Sequence, residues 1–418
     1  MRALLSYVTI AMVTIFIAEV AAQTPHGWRG PNRDGIYPET GLLKSWPSNG
    51  PELSWETMDA GKGYSSPVIV NSHLYVTGMN EDETKEIFSA YTLNGKKVYE
   101  VIYGTPWDKS YPETRTTPAI EGNKAYVISG SGEIVCINIE NGDIVWKVDG
   151  AATFERKTGT WGTSECPLVF DNKLIYTPAG DQTTIVALNI ENGEVIWKSR
   201  PLSDHSTYIS PLLIKHNGST KIVGATGKHV FIVNPETGAF ESTFTDWGRG
   251  EEGRENIATN TPIYHNGRLF FSNGYDVPSF MLQLNENATK IDLVWRNNDL
   301  DTHHGGFVLI DGIIYGSNWI SNTHGNWVAV DWNTGETKYE HNWSGKGKGS
   351  IIAADGMLYC YDERRGTVGL VKPNLEKFDI VSEFQITKGE GPHWAHPVIH
   401  SGTLYIRHGN ALMAYKVK

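Results

Sequence analysis

The chain has 418 residues, enough for several ordinary domains or one large repeat domain. Its 36 basic and 47 acidic residues give a net charge of −11, which speaks against nucleic acid as a partner. Three cysteines, Cys136, Cys166 and Cys360, are too few and too odd in number for a disulfide framework, and no Cys-x-x-Cys occurs.

The first residues read as a targeting segment. Met1-Arg2 is a short positive start, 3–18 is apolar, and Val20-Ala21-Ala22 offers small residues at a cleavage site. A cleavable signal peptide over 1–22 is expected, with Gln23 opening the mature chain in a secreted or periplasmic setting. No later stretch is apolar for long enough to cross a membrane. Residues 23–51 follow as an extension.

From residue 52 the chain repeats. Strand-opening prolines fall at Pro67, Pro118, Pro167, Pro211, Pro262 and Pro397, and two further openings near Gly306 and Ser350 lack the proline. The mean period is about 47 residues, close to that of propeller blades. Each repeat runs through a first strand, a tight turn, a second strand such as "KLIYTPAG" and a third strand leading to "xxGxxxW". There a glycine stands four residues before an aromatic: Gly95/Tyr99, Gly142/Trp146, Gly193/Trp197 and Gly335/Tyr339. "ENGD" and "ENGE" place Asn-Gly where a hairpin needs positive φ. The aromatic is expected to fill the gap between neighbouring sheets. No helical stripe longer than two turns interrupts this pattern.

Eight openings predict an all-β, eight-bladed β-propeller of four-stranded antiparallel blades over 52–418. The last repeat supplies only three strands. "ELSWET" at 52–57 matches the missing fourth, so the N-terminal strand is expected to join the last blade and close the ring.

The "A-L-x-x-x-x-G-x-x-x-W" phrase and the "SPV…LYV" openings resemble the PQQ-like, quinoprotein alcohol dehydrogenase-like β-propeller repeat family, over about 52–418. The leader 28–55 resembles the N-terminal extension of secreted bacterial members. That family includes quinoprotein dehydrogenases and BamB-like assembly scaffolds. The scaffold resemblance implies a non-catalytic binding role with a protein partner, although a lipid-anchor cysteine is missing here. The dehydrogenase resemblance implies PQQ on the channel axis. Its calcium is ligated by Glu and Asn, with a catalytic Asp, a stacking Trp and an adjacent-cysteine disulfide. This sequence has no Cys-Cys pair and no stretch that sets out the calcium ligands.

Segments just before each innermost strand converge on one channel mouth, the default place for a site. They carry Tyr64, Arg115, Trp161, Glu165, His205, Tyr208, Arg254, Glu255, His303, His304, Lys346, Lys348, His393, Trp394 and His396. Cations with aromatics and imidazoles suit an anionic or sugar-like ligand. Tyr208, His205, Arg115 and His303 are candidate catalytic groups for β-elimination from a uronic-acid sugar, which needs a base, an acid and a charge neutraliser. Tyr64, Trp161, Glu165, Arg254, His304, Lys348, His393, Trp394 and His396 are candidate ligand contacts. Equally, Tyr64 and Tyr208 both stand three residues before a proline and could be equivalent packing positions. Adjacent residues of an extended strand face opposite ways, so His303 and His304 are not expected to share a metal, and no metal site is assigned.

Overall fold

A computed structural model describes residues 26–247 and 257–418. The expected leader over 1–22 and the candidate residues Arg254 and Glu255 lie outside the described residues.

Eight antiparallel sheets form the ring. The first blade runs from Val68–Val70 through His73–Met79 and Glu86–Thr92 to Lys97–Gly104. The second runs from Ala119–Glu121 to Ile144–Asp149, and the third from Leu168–Phe170 to Val195–Lys198. The fourth spans Leu212–His216 to Phe240–Phe244, and the fifth Ile263–His265 to Ile291–Asn297. The sixth opens at Phe307–Ile310 and the seventh at Gly349–Ala354. First strands touch between the first and second, the second and third, and the sixth and seventh blades, which places them along the central channel. The last strand of each blade alternates exposed and covered residues, as the half-buried rim of a sheet should. Among the described residues the one α-helix is a single turn, Gly150–Thr153. No described helix is long and apolar enough to cross a membrane.

Ring closure follows the sequence expectation. Glu52–Thr57 pairs antiparallel with Ala411–Lys416, from Glu52 opposite Lys416 to Thr57 opposite Leu412. Arg407, fully buried, adds a second clasp. Its guanidinium donates to the carbonyls of Gly61 (2.9 Å), Ser65 (3.1 Å), Thr77 (2.6 Å) and Gly409 (3.0 Å), joining the eighth blade to the first.

The repeated phrase builds the joints between blades. A Cβ on Gly193 would lie 2.9 Å from the ring of Trp146, one blade back, and the Trp146 indole N–H donates to Ile190 O at 2.9 Å. Trp55 stands in the same way over Gly95, Tyr99 over Gly142, Trp197 over Gly238 and Trp295 over Gly335. Only the glycine of the Asn-Gly pair takes positive φ (81° at Gly142, 75° at Gly193). The expected two-residue Asn-Gly turn is instead a longer loop closed by Gly142 N–H to Asn138 O, followed by a β-bulge. That bulge turns the following aromatic toward its neighbour blade.

The extension does more than precede the ring. Ile36–Tyr37 pairs parallel with the inner strand Gly349–Ala354, as a fifth strand on the channel side of the seventh blade. His26 bridges Ile120 on the second blade. Residues 26–37 therefore lie inside the ring.

Candidate functional site

The channel is plugged by two arginines. Arg29 donates to Ile351 O (3.2 Å), Phe307 O (2.6 Å) and Asp34 O (3.2 Å), reaching the sixth and seventh blades. Arg33 donates to Cys166 O (3.2 Å), Pro211 O (3.1 Å) and Pro167 O, reaching the third and fourth. Both sit at positive φ, with glycines at Gly30 and Gly35. Gly35 has a second requirement: a Cβ there would lie 2.3 Å from the Arg29 guanidinium. First-strand carbonyls that no strand crosses the axis to meet are satisfied by these cations.

Above the plug lies a cavity of about 630 Å³ at the predicted mouth. Seven aromatic side chains line it: Trp28 from the plug, and Tyr64, Tyr111, Trp161, Tyr208, Tyr275 and Trp394 from the blades. Trp394 packs against Tyr64 (ring centroids 4.8 Å apart), His304 (5.0 Å) and Tyr111 (5.5 Å). Trp161 stands 5.8 Å from Tyr208, and its backbone N–H donates to the Tyr208 hydroxyl at 3.0 Å.

The ionised groups at the wall are mainly cations. Arg115 donates through Nη2 to Ser110 O (3.0 Å) and Tyr111 O (2.5 Å), while its Nη1 is buried with no protein partner. Burial holds its pKa below the usual arginine value, opposed by the fields of Tyr64, Tyr208 and Glu113. Arg364 also lines the cavity. The lining carboxylate is Glu363, paired with Lys348, which in turn donates to Ser321 O (3.0 Å) and Asn322 O (2.8 Å). Burial pushes Glu363 up to about 7, against the pull of Lys348.

The histidines are held neutral. Burial, helped by the Lys348 charge, lowers His303 to about 3, and its Nδ1 is buried without a partner. Burial takes His304 well below its ordinary value, and His304 Nε2 lies 3.2 Å from Glu363 Oε2. His396 is lowered to about 3 by burial and then by Arg29, whose guanidinium stands 2.9 Å from His396 Nδ1. Since Arg29 can only donate, Nδ1 accepts. His396 Nε2–H then donates to His304 O at 2.9 Å, so the plug sets this tautomer.

Eight of the thirteen candidate residues line this one cavity: Tyr64, Arg115, Trp161, Tyr208, His303, His304, Trp394 and His396. Four others stand behind the wall. Glu165, raised to about 8 by burial, receives Thr177 N–H at 3.1 Å on both oxygens. Lys348 is held by Glu363. His393 meets the Tyr361 hydroxyl at 2.6 Å and stacks on His408 with centroids 3.6 Å apart. His205 lies 3.3 Å from Asp204 and is not among the side chains lining the cavity. The thirteenth, Arg254, is outside the described residues. His303 and His304 depart from the opposite-face expectation. The chain bends there instead of extending, so both rings line the mouth with centroids 4.4 Å apart.

Sequence reasoning missed Trp28, Tyr111, Tyr275, Glu363 and Arg364, Tyr111 lying just upstream of the residues read before the second blade's inner strand. Tyr275, Glu363 and Arg364 sit in turns between second and third strands. In an antiparallel blade those turns emerge at the same end as the segments before the inner strands, so reading that second set of loops would have found them. Trp28 carried no such signal, because the extension belongs to no repeat.

A second cavity, of about 670 Å³, lies on the other side of the plug. His26, Asn32, Arg33 and Asp34 meet apolar inner-strand residues there, including Leu168, Leu212 and Ile263. The two cavities share no lining residue.

The family model described as outer membrane protein assembly factor BamB matches residues 83–338. Among solved structures, BamB from Moraxella catarrhalis superposes with a TM-score of 0.64 at 14% identity, covering 88% of this chain and 99% of that one. The quinohemoprotein alcohol dehydrogenase of Comamonas testosteroni gives 0.68 at 13% identity, covering 93% and 79%. The quinoprotein alcohol dehydrogenase PedH of Pseudomonas putida is 26% identical over 151 residues, 35% of this chain and 24% of that protein. The chain thus matches about a quarter of the length of the curated relatives.

A calcium-assisted quinone needs more oxygen ligands than this lining offers. Hard cations want several oxygen ligands, and Glu363, tied to Lys348, is the one carboxylate among the described lining residues. No described group of three or more His, Cys, Asp or Glu could hold a metal. Cys136, Cys166 and Cys360 are separate buried thiols. These residues do not fit that group. What the match over more than half of the sequence does establish is kinship: the chain belongs to the BamB family of PQQ-like β-propellers.

Proposed function

We propose that this protein is a binding propeller acting outside the cytoplasm, and that its channel mouth holds a compact, anionic, ring-bearing ligand such as a sugar acid. The observation that carries this reading is Arg115. Arg115 lines a wall of aromatic rings, and its buried Nη1 has no protein partner. Buried N–H groups of a cation left without an acceptor are costly unless an anion completes them. The surrounding rings supply flat faces for a sugar ring, and a cationic mouth on an acidic protein draws anions inward. The signal-like leader and the outer-membrane description of the family support the compartment.

The test is quenching of intrinsic tryptophan fluorescence by D-galacturonate against neutral D-galactose. The acid should bind more tightly, and Arg115→Ala should erase the difference. Equal binding of both sugars, or none of either, refutes the reading.

A catalytic use of the same mouth has one observation in its favour. His303 is neutral with a buried Nδ1 that has no protein partner, and its side chain lines the same cavity as Tyr208 and Arg115. In β-elimination His303 would take the C5 proton of a uronate as the C4–O bond breaks, leaving a C4=C5 double bond and a leaving oxygen that takes up a proton. Arg115 would neutralise the carboxylate. Absorbance from the unsaturated product, lost in His303→Ala and in Tyr208→Phe, would support it. Its absence across a panel of polyuronates would sink it.

A further inference from the structure

The plug gives the mouth a floor, and a floor decides which part of a ligand can enter. A propeller channel open at both ends could be threaded by a polymer. Here residues 26–37 cross the ring, and their anchors reach the second, third, fourth, sixth and seventh blades. Trp28 lines the mouth, whereas His26 and Gly30–Asp34 line the cavity on the far side. Trp28 is thus the part of the plug that reaches the mouth.

The floor is also held stiffly. Trp28 packs edge-on against His396, with ring centroids 5.4 Å apart. The next residue, Arg29, is pinned by Ile351 O, Phe307 O and His396 Nδ1. Cys166 and Ser210, beside this floor, also belong to the lining. To touch these groups a ligand must enter end-on. A polymer cannot thread a channel that residues 26–37 close, whereas a chain end can reach the floor.

We propose that the mouth is an end-recognition pocket, floored by Trp28, that takes a single anionic ring or the terminal unit of an anionic sugar chain and excludes the interior of a polymer. This rests on the ligand reading above and adds Trp28 as a specificity-determining residue. It also gives the extension a purpose beyond closing the channel.

Chain length supplies the test. D-galacturonate, trigalacturonate and polygalacturonate of about 100 units are titrated by tryptophan quenching, with affinity expressed per chain. End recognition predicts per-chain affinities that agree within about threefold. Internal recognition predicts a rise of roughly 100-fold for the polymer, because every unit is then a site. Such a rise overturns end recognition and leaves the ligand reading standing. Failure of every uronate to quench removes the ligand reading and this inference with it. Trp28→Ala should weaken the monosaccharide by about tenfold. Trp28→Phe, which keeps a ring on the floor, should stay within about threefold, so a folding defect is told apart from loss of the floor. Equal binding by Trp28→Ala and wild type overturns the role of Trp28.

Discussion

The rim of the ring and its mouth use the same kinds of residue for opposite purposes. At the rim, Trp146 covers Gly193 and Trp197 covers Gly238, each indole giving its N–H to a carbonyl of the next blade at 2.9 Å. Every polar atom of those indoles is used. At the mouth, Trp161 and Trp394 line a cavity, and Arg115 and His303 each keep a buried nitrogen without a protein partner. The rim repeats because each joint solves one packing problem. The mouth does not repeat, because its loops face a cavity and not one another.

The largest test of this contrast lies at the clasp. Arg407→Leu takes the guanidinium away from the carbonyls of Gly61, Ser65, Thr77 and Gly409, and should cost on the order of 4 kcal/mol in urea unfolding. Next comes the rim. Trp146→Ala should cost about 3 kcal/mol by opening a cavity between blades. Gly193→Ala should cost ~2 kcal/mol, since the new methyl meets both a positive φ and the Trp146 ring. Trp161→Ala at the mouth should stay within about 1 kcal/mol of wild type in stability while losing ligand quenching. A mouth variant as destabilising as a rim variant would abolish the distinction.

The smallest test is the pH profile. Glu165 is raised in the fold from 4.5 to about 8. Its contribution is therefore complete below pH 4.5 and is lost as pH climbs toward 8, because the unfolded chain ionises first. His393 and His396 are lowered from 6.5 to about 3, so their contribution is complete above pH 6.5 and is lost as pH falls toward 3. Glu165→Gln should make the alkaline limb shallower in thermal melts from pH 5 to pH 8, with Glu86 and Glu363, both raised to about 7, keeping the remainder, and should leave the acid limb in place. An unchanged alkaline limb would show that Glu165 does not set it.

These two regions also differ in how much of them can be read from the sequence. Blade number, blade order and the closing strand 52–57 followed from periodicity, since each repeat must present the same faces to its neighbours. The glycine–aromatic pair was legible for the same reason, although the bulge that aims the ring was not. At the mouth, Tyr64, Arg115, Tyr208 and His303 were found by position within the repeat. Glu165 and His393 share that position but turn into the wall, where Thr177 and Tyr361 meet them. Side-chain direction there depends on contacts too distant in sequence for spacing to reveal. Trp28 and Arg29 were silent because no periodicity reaches the extension.

Closure by the first strand has a consequence in time. Glu52 meets Lys416 across 364 residues, and Arg407 clasps Gly61 across 346. Such long-range pairing is slow to form, and it cannot begin until almost the whole chain has emerged. Until then the eighth blade lacks its outer strand and the first blade its neighbour, leaving open edges to be shielded. A chain synthesised from its N-terminus therefore carries its closing strand ahead of the blades and uses it last. Glu52–Thr57 must stay unpaired and available until the final blade arrives.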